Sequence, residues 1–309
     1  MGELRKGVAS VGLAGGAVDA ARLSPYVGGR RTAWEELGCA CGLGSGARSD
    51  GTVALVSADF ESSRIPASSV VVSGEVVLSG GRMTRGVVRV GDTVRRPASG
   101  VGGVVLRHLE QQGFVGAPRW LGVDGAGRDV LSYLPGWVPE KFRTWTDAQV
   151  GAAGALAREL HDATRGSGLA GSHQVVCHHD LGPNNAVFQY DLPVAFIDFD
   201  LAAPGSPLED VGYMAWLWCV SSKAGAPSVE AQARQVRVLA DGYGLAEGER
   251  SVLVDAMLER QSRNARFWGE LPAGSVDATR EQIAERIAWS RREHAYTTKH
   301  RDAFAAALT

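Results

Sequence analysis

The residues best suited to chemistry lie between Cys177 and Ala202, in CHHDLGPNNAVFQYDLPVAFIDFDLA. His178, Asp180 and Asn185 stand at the spacing HxDxxxxN. That spacing suits phosphoryl transfer, in which the aspartate meets an acceptor hydroxyl and the asparagine offers its amide oxygen to magnesium. Asp198 follows on an apolar strand and adds a carboxylate, the kind of donor that Mg2+ prefers. A strand over 186–190, a turn at Asp191-Leu192-Pro193 and a strand over 194–199 form the expected hairpin, folding Asp198 back toward Asn185. His178 is expected to pack and hydrogen-bond beneath the loop, and Asp210 to brace the loop backbone from the next helix. His179, Asn184 and Asp200 read as solvent-facing or turn-bonding residues, a common state for these types in loops.

Such chemistry asks the protein mainly to hold a nucleotide, neutralise phosphate charge and align a hydroxyl. The elements that supply this change along the chain. Residues 1–66 crowd Gly, Ala, Ser and Arg without a sustained period and read as a poorly ordered extension. After Ser69, β-branched runs broken at Gly80-Gly81 and Gly91-Asp92 predict an antiparallel meander. Val104 to Gln112 has helical spacing and stops at Gly113; Arg119–Val123 and Asp129–Leu134 then predict two further strands. Past Pro135-Gly136 the pattern becomes helical, with Thr146 as N-cap of a helix over 148–164 and helix-rich sequence over most of 210–308. A β-rich lobe over 67–134 thus precedes a mostly helical lobe over 135–309, which carries the motif hairpin.

A chain of 309 residues, 45% hydrophobic, can bury a core large enough for two lobes. Its 32 basic and 34 acidic residues leave a formal charge of -2, which gives no footprint for nucleic acid or an anionic membrane. No run approaches the roughly 20 apolar residues that span a bilayer. The basic pair Arg5-Lys6 precedes a Gly- and Ala-rich stretch whose hydrophobic drive is weak for a secretory signal. Cys39, Cys41, Cys177 and Cys219 suit neither a disulfide framework nor a zinc site, so reduced thiols in a cytoplasm are expected. The expected partners are a small molecule and a nucleotide, bound by a monomer or homodimer.

Over residues 177–216 the chain resembles the aminoglycoside phosphotransferase and choline kinase superfamily of small-molecule kinases. His178, Asp180 and Asn185 fall on its HxDxxxxN motif, Asp198 on its counterpart of the kinase DFG aspartate, and Asp210 on the following acidic segment. The position after the motif histidine is often Gly in that superfamily; here it is His179. The resemblance implies an α+β, two-lobed protein-kinase-like fold with a small antiparallel β N-lobe and a mostly α-helical C-lobe. It implies transfer of the γ-phosphate of ATP or GTP to a small-molecule hydroxyl, with Asp180 as base and Mg2+ on Asn185 and Asp198.

More weakly, the resemblance runs from Glu75 to the C-terminus. It places Gly80 and Gly81 in the nucleotide-binding loop and Arg96 where a phosphate-binding Lys usually stands. Val94 shares a strand face with Arg96 and is expected to cover the adenine. Glu110 is the expected acidic partner of Arg96, and Ser132, Tyr133 and Leu134 form the hinge whose backbone meets the adenine edge. Trp216, Trp218, Trp268 and Trp289 read as core. The acceptor stays open among aminoglycosides, amino alcohols and sugars. A non-catalytic nucleotide-binding protein is the alternative from another class. A protein kinase is disfavoured, since Glu209-Asp210 follow Asp198 too closely for an activation segment.

Overall fold

The β-branched and alternating residues between Val71 and Ser132 form a six-stranded sheet of order β1-β2-β3-β4-β6-β5. Its strands are β1 Val71–Val72, β2 Glu75–Val77, β3 Val88–Val90, β4 Thr93–Pro97, β5 Trp120–Val123 and β6 Arg128–Ser132, and every pairing is antiparallel. The computed structural model describes residues 71–72, 74–78, 86–140, 143–271 and 278–309. The expected extension over 1–66 and the turn at Gly80-Gly81 lie outside the described residues. Helix α1, Val101–Gln111, leaves the end of β4 and buries Val105, Leu106 and Leu109. It begins before the expected Val104, through Gly102-Gly103, against the low helix propensity of Gly. The reason is close approach: a Cβ at Gly103 would lie 2.8 Å from Trp120 Nε1.

The second lobe opens with α2, Asp147–Thr164, where Thr146 forms a capping box with Gln149. Short strands β7 Val175–Cys177, β8 Ala186–Gln189, β9 Leu192–Phe196 and β10 Ala203–Gly205 carry the motif segment. Helix α3, Pro207–Met214, runs on as a π-helical turn over Ala215–Cys219. Then come α4 Val229–Tyr243, α5 Glu247–Arg250, α6 Leu253–Glu270, α7 Arg280–Lys299 and α8 Arg301–Leu308. Helices α2 and α4 touch closely at Gly154, where a Cβ would meet Leu239 O at 2.7 Å. Phe188 on β8 stacks on Trp145 and Trp218 at 5.4 and 6.1 Å between centroids. Aromatic burial of this kind contributes about 1.5–3 kcal/mol per side chain. The lobes join where Phe196 N donates to Gly116 O at 2.9 Å and His108 Nε2–H donates to Ala163 O at 3.1 Å. Among the described residues, no helix is long and apolar enough to cross a membrane.

The motif hairpin turns earlier than expected. Tyr190 and Asp191 form the turn with φ of 47° and 62°, and Leu192 and Pro193 already belong to β9. A two-residue turn with both φ positive matches the strand twist, whereas an Asp-Leu-Pro turn would remove these residues from the ladder. Pro193 is tolerated because the register shifts at Val187/Phe188. Tyr190 is 91% exposed and gives up no core contact when replaced. Replacing Tyr190-Asp191 by Asn-Gly should therefore raise stability by about 1 kcal/mol, read as a higher urea midpoint. An unchanged midpoint would show that the left-handed pair carries no strain.

Candidate active site

The loop after β7 is fixed from three sides. Asp180 Oδ1 accepts from the Tyr213 hydroxyl and Oδ2 from Asn185 Nδ2, each at 2.7 Å. Buried His178 lies against Phe199, with ring centroids 4.5 Å apart. Its Nε2–H donates to Ile197 O at 3.1 Å, while Nδ1 accepts from Asp180 N at 3.3 Å. One donor and one acceptor describe a neutral Nε2–H imidazole. Ile197 N in turn donates to Asn185 O at 2.9 Å. His178, Asn185 and the residue before Asp198 are thereby locked together, which brings Asp198 to Asn185 by way of the backbone. Asp198 itself has φ 71° and ψ 62°, left-handed for a non-Gly residue; such conformations cost about 1–3 kcal/mol and cluster at functional sites.

Beneath the loop, fully buried Asp210 accepts from His178 N and His179 N at 2.7 Å each and from His161 Nε2–H at 3.0 Å. His161 Nδ1 accepts from the Tyr243 hydroxyl at 2.8 Å. Burial alone would raise the Asp210 carboxyl, but the hydrogen bond from His161 outweighs it and holds the group below the usual carboxylate range. The two peptide N–H bonds need the loop to turn sharply, and His179 does so at φ 64°. Glycine adopts that conformation without strain. Burial pushes the His179 imidazole down to about 4, so it is neutral at physiological pH. Arg260 of α6 completes the support, donating to His179 O at 2.9 Å and lying 4.8 Å over the Tyr213 ring.

On the side of the sheet, Arg96 is buried on β4 and donates through Nη1 to Asp198 Oδ1 at 3.1 Å and through Nη2 to Asp200 Oδ2. Burial would lower its pKa; Asp200 and then Asp198 raise it instead. Two expectations are corrected here. Glu110 is not brought to Arg96: it sits in the exposed last turn of α1 and pairs with Arg119 Nε at 3.4 Å. Asp200 is not a solvent-facing turn residue, because beyond β9 the left-handed Asp198 redirects the chain and the 3-10 turn Phe199–Leu201 swings Asp200 onto Arg96. Arg95 points to the other side of the strand and pairs with Asp124 at 3.4 Å, and half-buried Val94 pairs with Leu131 in the ladder.

In the hinge, Ser132 N donates to Arg119 O and Tyr133 N to Asp92 O, at 2.9 and 2.8 Å. Of these three amides, that of Leu134 is the one left without a partner among the described residues. Trp216, Trp218 and Trp268 are buried, as expected of core residues; Trp289 is half-buried and stacks one face on Trp216 at 4.6 Å.

The donor set suits a hard divalent cation. Asp198 offers a carboxylate that already faces a cationic group, the Arg96 guanidinium, and Asn185 an amide oxygen whose present donor is a neighbouring side-chain amide, Asn184 Nδ2 at 2.9 Å. By contrast, the ligand atoms of His161, Cys177 and Asp210 lie within 4.8 Å of one another but are already hydrogen-bonded to their surroundings. Tyr213, Arg260, His161 and Asp200 were not picked out as site residues from sequence. The first two come from helices whose approach to the loop no local pattern encodes. His161 carried only the signal of a polar residue on an apolar helix face.

The model of the phosphotransferase enzyme family (APH) matches residues 128–253. The chain is 31% identical over 262 residues to the trifolitoxin immunity protein of Rhizobium leguminosarum bv. trifolii, a match that spans 77% of this chain and 100% of that protein. Among solved structures, an amicoumacin kinase in complex with AMP-PNP, Ca2+ and Ami superposes with a TM-score of 0.51 at 12% identity, covering 74% of this chain and 88% of that one. A choline/ethanolamine kinase family protein from Mesorhizobium loti gives 0.49 at 18% identity, covering 72% and 88%. At 12% identity the amicoumacin kinase structure speaks to the fold alone, a two-lobed α+β arrangement.

Proposed function

Because the chain belongs to the phosphotransferase enzyme family and has the two-lobed α+β fold of its kinase-like members, we propose that it transfers the γ-phosphate of ATP or GTP to a hydroxyl of a small molecule. The observation that carries this reading is Asp180. Its carboxylate is held at both oxygens, by Tyr213 and Asn185, on a loop pinned through the backbone by Asp210.

In this reading Asp180 accepts a hydrogen bond from the acceptor hydroxyl, aligns it and takes its proton as the new P–O bond forms. His178 holds the loop and does no proton transfer. Asn185 and Asp198 would hold Mg2+, which supplies neutralisation of phosphate charge when bound. Arg96 meets the phosphates with a planar, always-charged guanidinium in place of a lysine. Val94 covers the base and Leu134 N–H meets its edge. A relative named for immunity to trifolitoxin supports including toxins among the acceptors.

A coupled ADP-release screen over aminoglycosides, amino alcohols, sugars and trifolitoxin tests the reading, with Asp180→Asn as the blank. One acceptor class should give ADP release above the blank and a phosphorylated product by mass spectrometry. Tight Mg2+-independent nucleotide binding with no turnover on any class would favour the non-catalytic alternative.

A further inference from the structure

A phosphate-binding arginine on a strand has considerable rotamer freedom and works only if a fixed anion holds it extended. Among the described residues, Glu110, Asp129, Asp198 and Asp200 are the candidates for that task. Glu110 is committed to Arg119 at the far end of α1. Asp129 lies opposite Arg96 in the β4–β6 ladder, yet its Oδ1 accepts from Trp120 Nε1 at 2.9 Å and its Oδ2 from Ser99 N at 3.1 Å. Asp198 touches Arg96 but is also the proposed metal ligand, so its carboxylate is shared with a divalent cation whenever the nucleotide is bound. Asp200 remains, on the guanidinium's second nitrogen.

Helix α1 packs beside this pairing and supplies no carboxylate of its own to it. Its first turn is Gly102-Gly103, and a Cβ at Gly102 would lie 3.9 Å from both Asp200 Oδ1 and Phe199 O and only 2.7 Å from Ser99 Oγ. The 3-10 turn after Asp198 thus packs on the start of α1 and carries Asp200 up to β4. We infer that Asp200 positions Arg96 for phosphate binding, doing from the loop after Asp198 what an acid on the helix was expected to do. The inference rests on the phosphotransferase reading. Asp200 and Asp198 then divide one loop, with Asp200 on the arginine and Asp198 on the metal.

The test is calorimetric titration of the full chain with ADP plus Mg2+, and with adenosine, for the unsubstituted protein, Arg96→Ala, Asp200→Asn and the double variant. Each single variant should weaken ADP binding by about tenfold or more, the size of a charge-assisted hydrogen bond. Adenosine affinity and the Mg2+ concentration for half-maximal ADP binding should not move. The double variant should bind ADP no more weakly than Arg96→Ala, because Asp200 acts only through the arginine. Asp200→Glu, which keeps the charge, should restore most of the loss. Unaltered ADP affinity in Asp200→Asn, a raised Mg2+ requirement, or additive losses in the double variant would each overturn the inference. Adenosine binding reports folding, and Asp200→Ser takes the place of Asp200→Asn if the latter does not fold. An unsubstituted chain that binds adenosine but not ADP with Mg2+ sinks the phosphotransferase reading itself, and the inference with it.

Discussion

Asp180→Ala is expected to lower phosphoryl transfer by roughly a hundred- to ten-thousandfold while leaving nucleotide affinity within about twofold. The split follows from where Asp180 sits. It hydrogen-bonds Tyr213 and Asn185 on the loop, whereas Arg96 and the hinge amide of Leu134 belong to the other lobe. Tyr213 cannot substitute for the lost base. Burial, and then the Asp180 charge, push its phenol well above its ordinary value, so it remains a protonated donor. Asp180→Asn keeps the shape and removes the charge, and should lose nearly as much turnover as the alanine variant. Tyr213→Phe removes only an orienting hydrogen bond and should cost far less. The measurement is ADP release with the accepted substrate beside a nucleotide titration; turnover retained in purified Asp180→Ala removes Asp180 from its assigned role.

Much of the site is legible in the chain because its logic is local. HxDxxxxN, the hairpin and Asp198 lie within one short segment, and the capping box at Thr146 marks the start of α2 from two residues, Thr146 and Gln149. The reading fails where geometry departs from the regular period. Strand alternation carried past Phe196 gives no reason to pair Asp200 with Arg96; only the left-handed turn at Asp198 does so. Glu110 is misassigned for a related reason: it is the one acid between Arg96 and Gly113, where the resemblance implies a partner, but it lies at the far end of α1, whose start is glycine packed on a neighbouring turn. Tyr213, Arg260 and Tyr243 were illegible for a different reason. Their partners Asp180, His179 and His161 are 33, 81 and 82 residues away in sequence, and only the packing of α3, α4 and α6 brings them in.

The largest stability effect is expected at Asp210, where one buried carboxylate serves three donors on two elements. Asp210→Ala leaves His178 N, His179 N and His161 Nε2–H unpaired in the interior, at a cost of about 3–5 kcal/mol, typical of breaking a buried charged network. Asp210→Asn keeps part of the hydrogen bonding and should lose less. The two variants also separate charge from shape through pH. The folded-state pKa of Asp210 lies below the ordinary carboxylate value, so the unfolded chain takes up the proton first as pH falls. The contribution is therefore complete above the unfolded value of about 3.9 and is lost as pH falls below it toward the folded value. Urea unfolding at pH 7 and pH 3 should show the gap between the unsubstituted chain and Asp210→Asn narrowing on the acid side. A gap of equal size at both pH values would mean that Asp210 is not held as a carboxylate, and that the loop is braced by shape alone. Turnover should fall in both variants even at temperatures where they stay folded, because the peptide groups of His178 and His179 set the height of Asp180 above the helix.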